Sequence, residues 1–211
     1  TPYAAGWFVF DMMVPPNYPE RSPSMTFLTT KQNSIRFNPN LYCSGKVCLS
    51  LLGTWMGEPW SKEVSNLNQI LISILAMIFV EDPFFNEPGY QSLRGTPEGD
   101  ERCARYTATV RYHTLQHAVY DALHPPTTTI ASRSGGGEGS GGGGDDGTDN
   151  DVGLHRAARA HFRALWPQLE PVYRSWAQDE KDPHQKEQMH AWIDACRTTL
   201  DQSTATIQCD E

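Results

Sequence analysis

Phe37-Asn38-Pro39-Asn40-Leu41-Tyr42, followed closely by Gly45-Lys46-Val47-Cys48-Leu49, is the stretch on which the fold of this 211-residue chain turns. Asn-Pro-Asn is turn chemistry, because proline fixes φ and asparagine side chains bond their own backbone. Ser44-Gly45 marks a second turn, and Cys48 stands eight residues after Asn40 in a short apolar segment, residues 47–52. A cysteine in this place reads first as a small buried hydrophobe and second as a nucleophile. The residues alone leave both readings open.

Working outward, residues 7–14 (WFVFDMMV) and 25–30 (MTFLTT) carry the aromatic, branched and bulky apolar side chains that strands favour. They are expected to pair in an antiparallel meander. The Pro15-Pro16-Asn17-Tyr18-Pro19-Glu20-Arg21-Ser22-Pro23 connection has fixed φ angles and missing N–H groups, so it forms neither helix nor central strand. It reads as a stiff, exposed crossover in preference to a polyproline ligand. Downstream, Ser65 or Asn66 with Gln69 caps residues 67–80, which are apolar on nearly every side and are expected to form a central buried helix. Thr96-Pro97 starts a second helix that should run to Leu123, where His124-Pro125-Pro126 stops it. Its stripe is Ala104, Ala108, Tyr112, Leu115, Val119 and Ala122.

The chain holds 17 Lys+Arg against 25 Asp+Glu, a formal charge of -8, and is 38% hydrophobic, which allows one domain of ordinary size and some remainder. Ten of its 17 glycines fall between Gly135 and Gly153, and residues 133–151 carry one Arg against five carboxylates. Such a stretch cannot bury apolar area and reads as an acidic, flexible linker. The expected organisation is a first domain over residues 1–131, a linker over 132–153 and a helical tail over 154–211. In the tail, Leu154, Ala158, Phe162, Leu165, Leu169, Val172 and Trp176 keep a helical stripe through Pro167 and Pro171, which should kink or break it. A last helix, capped by Asp182-Pro183 with Gln185, shows Met189, Trp192, Ile193, Cys196 and Leu200 on one side. So small a tail is expected to dock on the first domain or on a partner.

A pI near 5.3 without a long Lys/Arg run argues against nucleic acid as a partner. The longest apolar stretch, residues 70–80, falls well short of the roughly 18 residues that a membrane span needs, so no membrane partner is expected. No Met precedes Thr1, and no basic-then-apolar leader opens the chain. Cys43, Cys48, Cys103, Cys196 and Cys209 are odd in number and lack CxxC pairs, which favours reduced thiols and a cytoplasmic or nuclear setting.

Tyr18-Pro19 with Ser22-Pro23, the two opening motifs, Trp60-Ser61, Glu81-Asp82-Pro83 and Asn86-Glu87-Pro88-Gly89-Tyr90 together resemble, in order and spacing, the catalytic domain of ubiquitin-conjugating enzymes. The resemblance covers residues 1–123. Thr54-Trp55-Met56-Gly57, Phe84-Phe85 and Arg94-Gly95-Thr96-Pro97 look most like the BRUCE-like (apollon-like) subgroup, very large hybrids that combine conjugating and ligase activity. The resemblance implies an α+β ubiquitin-conjugating-enzyme fold, an antiparallel meander sheet with helices, followed here by a helical C-terminal tail. The family's N-terminal helix is missing, because the chain begins just before the second strand.

Chemically, the resemblance implies that Cys48 takes ubiquitin as a thioester from the ubiquitin-activating enzyme and passes it to a lysine of a protein substrate. A thiolate is both a good nucleophile and a good leaving group, which suits two successive acyl transfers. No bound cofactor and no metal is implied, ATP being used by the separate activating enzyme. Asn40 matches the asparagine that holds the reacting loop and stabilises the oxyanion; without the resemblance it is a turn-former. Glu87 matches the acidic position that orients or deprotonates the incoming lysine, with Asn86 in its place if the alignment slips by one. As bare sequence Glu87 is a solvated loop charge. Tyr90 lines the same groove or packs as an ordinary aromatic. Pro19, Glu20, Trp60 and Ser61 fall on the loops that face a ligase.

Some residues depart from the family pattern. Asn38 stands where most members have His, and Ser50 where an Asp commonly follows the cysteine by two; the hybrid subgroup shares both changes. Glu20 occupies a position where many members present an apolar residue to a RING-type ligase. Burying an unpaired carboxylate there is costly, which points away from a standard separate ligase. Three other readings compete. One is a catalytically inactive ubiquitin-binding variant of the same fold, disfavoured by the presence of Cys48. Another is a cysteine hydrolase in which His113, His117 or a later His reaches Cys48. The third is a metal site at His113 and His117, four residues apart and without a third ligand.

Overall fold

The computed structural model describes residues 1–125 and 147–205. Strand β1 (Phe10–Met13) pairs antiparallel with β2 (Ser24–Phe27), Phe10 opposite Phe27 and Met13 opposite Ser24. The fold is α+β, but the expected meander is cut short. Beyond β2 it continues, among the described residues, only as isolated bridges from Thr26 to Lys46, from Asn38 to Leu41 and from Leu41 to Val47. Turn chemistry is the cause. Gly45, at φ 87, accepts the Phe27 N–H at 2.8 Å, and Tyr42 N–H donates to Lys46 at 3.0 Å, so the chain reverses before a longer ladder can form. At the other end, Val9 N–H turns to the Thr29 hydroxyl at 2.9 Å.

The capping box of Asn66 and Gln69 forms as the sequence predicts, at 3.1 and 3.0 Å. It starts α1 (Leu67–Ser73), which a π-helical turn prolongs to Ile78. This helix is not buried all round. Ile70, Ile74 and Ile78 share a core with Phe27, Phe37, Leu41 and Val47, whereas Leu71, Ile72, Leu75 and Met77 are at least half exposed. Burial needs a partner on each face, and this core supplies one face only.

Thr96 caps α2 (Pro97–His113) by accepting the Gly99 N–H at 3.0 Å. A π-helical turn (Thr114–Tyr120) and α3 (Asp121–Leu123) carry it to the expected stop. Cys103 and Val110 are buried in its first part and Leu115, Val119 and Ala122 in its last, while Ala104, expected on the stripe, is exposed. The wider turn rotates the later face against the earlier one.

Helix α4 (Gly147–Asp179) begins inside the stretch expected to be linker and runs unbroken past Pro167 and Pro171. Each proline removes an intrahelical bond, a cost of roughly 3 kcal/mol. Trp166, Leu169, Tyr173 and Trp176, buried around them, supply offsetting packing, while Leu154 and Val172 stay partly exposed. Asp182 caps α5 (Pro183–Ala205), accepting from the His184 and Gln185 N–H groups at 2.9 and 3.1 Å. Met189, Trp192, Ile193, Cys196 and Leu200 then share one core with α4 and with Leu115, Val119 and Leu123. Helices α4 and α5 thus pack against residues 115–123, and the Tyr173 hydroxyl donates to the Ala4 carbonyl at 2.8 Å. Residues 132–146 of the expected linker lie outside the described residues. Among the described residues, no helix is long and apolar enough to cross a membrane.

Candidate active site

The Asn38-Pro39-Asn40 turn and the Cys48 segment are laced together. Cys48 N–H donates to the Asn40 carbonyl at 2.8 Å, and Asn40 Nδ2 donates to the Cys48 carbonyl at 2.9 Å. Asn40 N–H in turn donates to Asn38 Oδ1 at 2.8 Å. Asn38 is wholly buried; its Nδ2 donates to the Ile78 carbonyl at 2.7 Å and to the Tyr3 hydroxyl at 3.0 Å. Its Oδ1 also accepts from Asn86 Nδ2 at 3.3 Å, and the Tyr3 hydroxyl donates to the Phe37 carbonyl at 2.8 Å. A residue that the sequence marks only as a replacement for His is therefore the hub joining the turn, the end of the α1 segment and the Asn86 loop. Burial pushes the Tyr3 hydroxyl far up from its ordinary pKa, against the opposing effect of its Asn38 bond. It stays a neutral donor to the Phe37 carbonyl.

Asn40, Cys48, Ser61, Asn86 and Glu87 line one open groove of about 890 Å³, whose apolar lining includes Trp55, Met56, Val64 and Met77. Cys48 is only 2% exposed at the wall of this groove. The Glu87 carboxylate accepts from Arg36 Nη2 at 3.2 Å. Arg36 also donates to the Pro39 carbonyl at 2.6 Å and lies 4.5 Å from the Tyr42 ring centre, which ties Glu87 to the turn. Nothing local in the sequence singles out Arg36. Asn86 Nδ2 donates to the Met77 carbonyl at 2.9 Å as well as to Asn38, so its amide serves the scaffold. Tyr90 is not among the lining residues; it stacks on Phe84 at 4.7 Å, with the Arg102 guanidinium 4.8 Å from its ring centre.

The loops expected to face a ligase meet. Trp60 Nε1 donates to the Pro19 carbonyl at 2.7 Å, and its ring lies 5.7 Å from that of Tyr18. Lys62 Nζ sits 3.0 and 2.9 Å from the two Glu20 carboxylate oxygens, and the Glu20 side chain is 59% exposed. In the free chain Glu20 is thus exposed and paired, so a ligase docking at this loop meets an ion pair, not a lone carboxylate. The Ser61 hydroxyl donates to Glu63 at 2.8 Å.

Among the described residues, no histidine lines the groove. The His113 ring packs against Phe37 and His117, and His117 Nδ1 lies 2.6 Å from Asp121 Oδ2, so neither imidazole is paired with Cys48.

A sequence-family model described as "Ubiquitin-conjugating enzyme" matches residues 1–113. "Probable ubiquitin-conjugating enzyme protein 17" of Caenorhabditis elegans is 47% identical over 129 residues, 60% of this chain and 18% of that protein. "Dual E2 ubiquitin-conjugating enzyme/E3 ubiquitin-protein ligase BIRC6" of Homo sapiens is 44% identical over 130 residues, 60% of this chain and 3% of that protein. "Probable ubiquitin-conjugating enzyme E2 R521" of Acanthamoeba polyphaga mimivirus is 35% identical over 190 residues, 89% of this chain and 12% of that protein. This chain thus spans less than a fifth of the length of each relative. The nematode protein matches as well as the dual enzyme does, so the likeness to the large hybrids is a likeness shared across the family. With more than half of its residues matched, including every residue assembled in the groove, the chain belongs to the ubiquitin-conjugating enzyme family.

Proposed function

We propose that Cys48 accepts ubiquitin from the ubiquitin-activating enzyme as a thioester and passes it to a lysine of a protein substrate. The observation that carries this reading is the groove that gathers Asn40, Cys48 and Glu87, with the Cys48 peptide tied to Asn40 on both sides. In charging, the Cys48 thiolate attacks the carbonyl of the activating enzyme's thioester; the new C–S bond forms, the old one breaks, and the activating enzyme's thiolate leaves. In discharge, a neutral lysine amine attacks, gives its proton to a base, and expels the Cys48 thiolate. ATP is consumed by the activating enzyme, and this chain needs no cofactor of its own.

An asparagine amide carries two N–H donors. One holds the Cys48 carbonyl, which leaves the other for the oxyanion that develops at the thioester. Glu87, held by Arg36 at the groove, receives or orients the lysine proton. The joined Pro19, Glu20, Trp60 and Ser61 loops offer a ligase surface. The proposal extends to a parent chain with built-in ligase activity, in which α4 and α5, packed against the end of the conjugating region, position the substrate. Reduced cysteines fit work in the cytoplasm or nucleus.

Incubation with activating enzyme, ATP and ubiquitin should give an adduct that reductant removes. Glu87→Gln should charge normally and discharge to lysine about tenfold or more slowly; an unchanged discharge rate removes Glu87 from the mechanism. Substrate modification without an added ligase supports the built-in activity, and an absolute requirement for a ligase contradicts it. The burial of Cys48 favours one second reading, a variant that only holds ubiquitin. Ubiquitin binding without any adduct would establish that reading in place of the first.

A further inference from the structure

After Cys48 the chain makes a 3-10 turn (Ser50–Leu52) and passes through Gly53 at φ 67, a left-handed conformation that residues with a Cβ rarely adopt. That reversal returns Thr54 to the residues flanking the cysteine. Thr54 Oγ1 donates to the Val47 carbonyl at 2.6 Å, has the Leu49 carbonyl as a second acceptor at 3.1 Å, and accepts the Leu49 N–H at 3.0 Å. Asn40 meanwhile engages the N–H and the carbonyl of Cys48 itself. The main-chain groups in sequence, Val47 C=O, Cys48 N–H, Cys48 C=O and Leu49 N–H, are therefore all fixed, the inner pair by Asn40 and the outer pair by the Thr54 hydroxyl.

The geometry points to Thr54 as a positioning residue for the Cys48 nucleophile, its hydroxyl clamping the main chain on both sides of the thiol. This inference rests on the thioester role of Cys48 proposed above. The clamp is needed because the sheet does not do the work: the last bridge of the meander is at Val47, so no ladder holds the backbone of Cys48 and Leu49. Threonine suits the task because two heavy substituents on its Cβ restrict χ1 and keep the hydroxyl aimed. Thr54 is exposed as a residue, so its contribution is the hydrogen bonds more than packing. Acyl transfer between proteins depends on where the nucleophile stands relative to a bound carbonyl, and an ångström of misplacement is costly in rate.

Thr54→Val keeps the shape and removes the hydroxyl, and Thr54→Ser restores the hydroxyl. In single-turnover assays on the full chain with activating enzyme, ATP, ubiquitin and free lysine, Thr54→Val should slow charging and discharge about five- to tenfold, the scale of one lost hydrogen bond. Thr54→Ser should recover most of the rate. Alkylation of Cys48 by iodoacetamide, a small probe with no docking requirement, should be no slower in Thr54→Val, and the thermal midpoint should fall by only a few degrees, recovering in Thr54→Ser. Amide exchange at Leu49 should accelerate in Thr54→Val and return to normal in Thr54→Ser. Wild-type transfer rates in Thr54→Val overturn the inference, as does a loss that follows a lowered midpoint and is not rescued by Thr54→Ser. If wild type forms no thioester at all, the thioester role of Cys48 fails; Leu49 exchange, which needs no activity, then still decides whether the clamp exists, and unchanged exchange refutes it.

Discussion

Asn40 and Cys48 hold each other by two hydrogen bonds, Cys48 N–H to the Asn40 carbonyl at 2.8 Å and Asn40 Nδ2 to the Cys48 carbonyl at 2.9 Å. The turn-forming and the catalytic interpretations of Asn40 therefore meet in one side chain. The contact seats the reacting segment with one of the two amide N–H groups and leaves the other for the oxyanion role proposed above.

Removing that side chain separates the two contributions. Asn40→Ala should lose about 1 kcal/mol of stability from the missing bond and slow lysine discharge on the order of a hundredfold, as expected for a lost oxyanion donor. Charging, discharge and thermal midpoint measured on the same preparation distinguish the effects. Charging and discharge that fall together, in step with the midpoint, would leave Asn40 as a turn residue alone.

The buried hub should matter more to the fold than to the chemistry. Asn38→Ala strips partners from Asn40 N–H, the Asn86 amide and the Ile78 carbonyl at once. Leaving such groups unpaired should cost about 3 kcal/mol, readable as a lower urea midpoint. A loss below about 1 kcal/mol would mean that water or a neighbour replaces these bonds without penalty.

The caps and turns are legible in the sequence because they are local: Asn66 with Gln69, Thr96 before Pro97, and Asp182 before Pro183 each act within three or four residues. So is the pairing of an Asn-Pro-Asn turn with a downstream cysteine. Asn38 as a hub is not legible, because its partners Tyr3, Ile78 and Asn86 are 35, 40 and 48 residues away. Residues 67–80 mislead for another reason. Their apolarity predicts burial on every side, yet the core meets only the Ile70, Ile74 and Ile78 face. At Pro167 and Pro171 local propensity predicts a break, and tertiary packing of α4 on α5, α3 and the π-helical turn before α3 prevails. Thr54 enters the sequence reading only as part of the Thr54-Trp55-Met56-Gly57 resemblance; its bonds to Val47 and Leu49 depend on the αL turn at Gly53.

Acid should weaken the fold through His113. Burial first, and the neighbouring His117 second, lower its pKa from 6.5 to about 4, and its Nδ1 is buried without a hydrogen-bond partner. The ring is therefore neutral in the folded state, while the unfolded chain takes up a proton near the ordinary value. Between about pH 6.5 and pH 4 the unfolded state binds more protons, so this contribution is complete above 6.5 and is lost as the pH falls. The thermal midpoint of wild type should drop across that window more steeply than that of His113→Gln. Parallel profiles would contradict the assignment.

Glu170 should hold the tail together. It is buried on α4 and accepts from Arg174 Nε at 2.8 Å and from Arg197 Nη2 of α5 at 2.6 Å. Burial alone would raise its pKa, but the two guanidiniums outweigh burial and hold the carboxyl below its ordinary range. Glu170→Gln should cost about 2 kcal/mol, the scale of charge-assisted bonds lost, measured by chemical denaturation. Unchanged stability would show that the pair is replaced by solvent.

The central claim is that Cys48 carries the acyl group, and the most direct measurement is the chemical nature of the adduct in Cys48→Ser after incubation with activating enzyme, ATP and ubiquitin. A serine oxygen in place of sulfur forms an ester, so the account predicts that wild type gives an adduct cleaved by reductant and Cys48→Ser gives one of matching size that survives it. Cys43→Ser and Cys103→Ser should charge like wild type. An adduct mapped to Cys43 or Cys103, or one in Cys48→Ser that reductant still removes, would contradict the account.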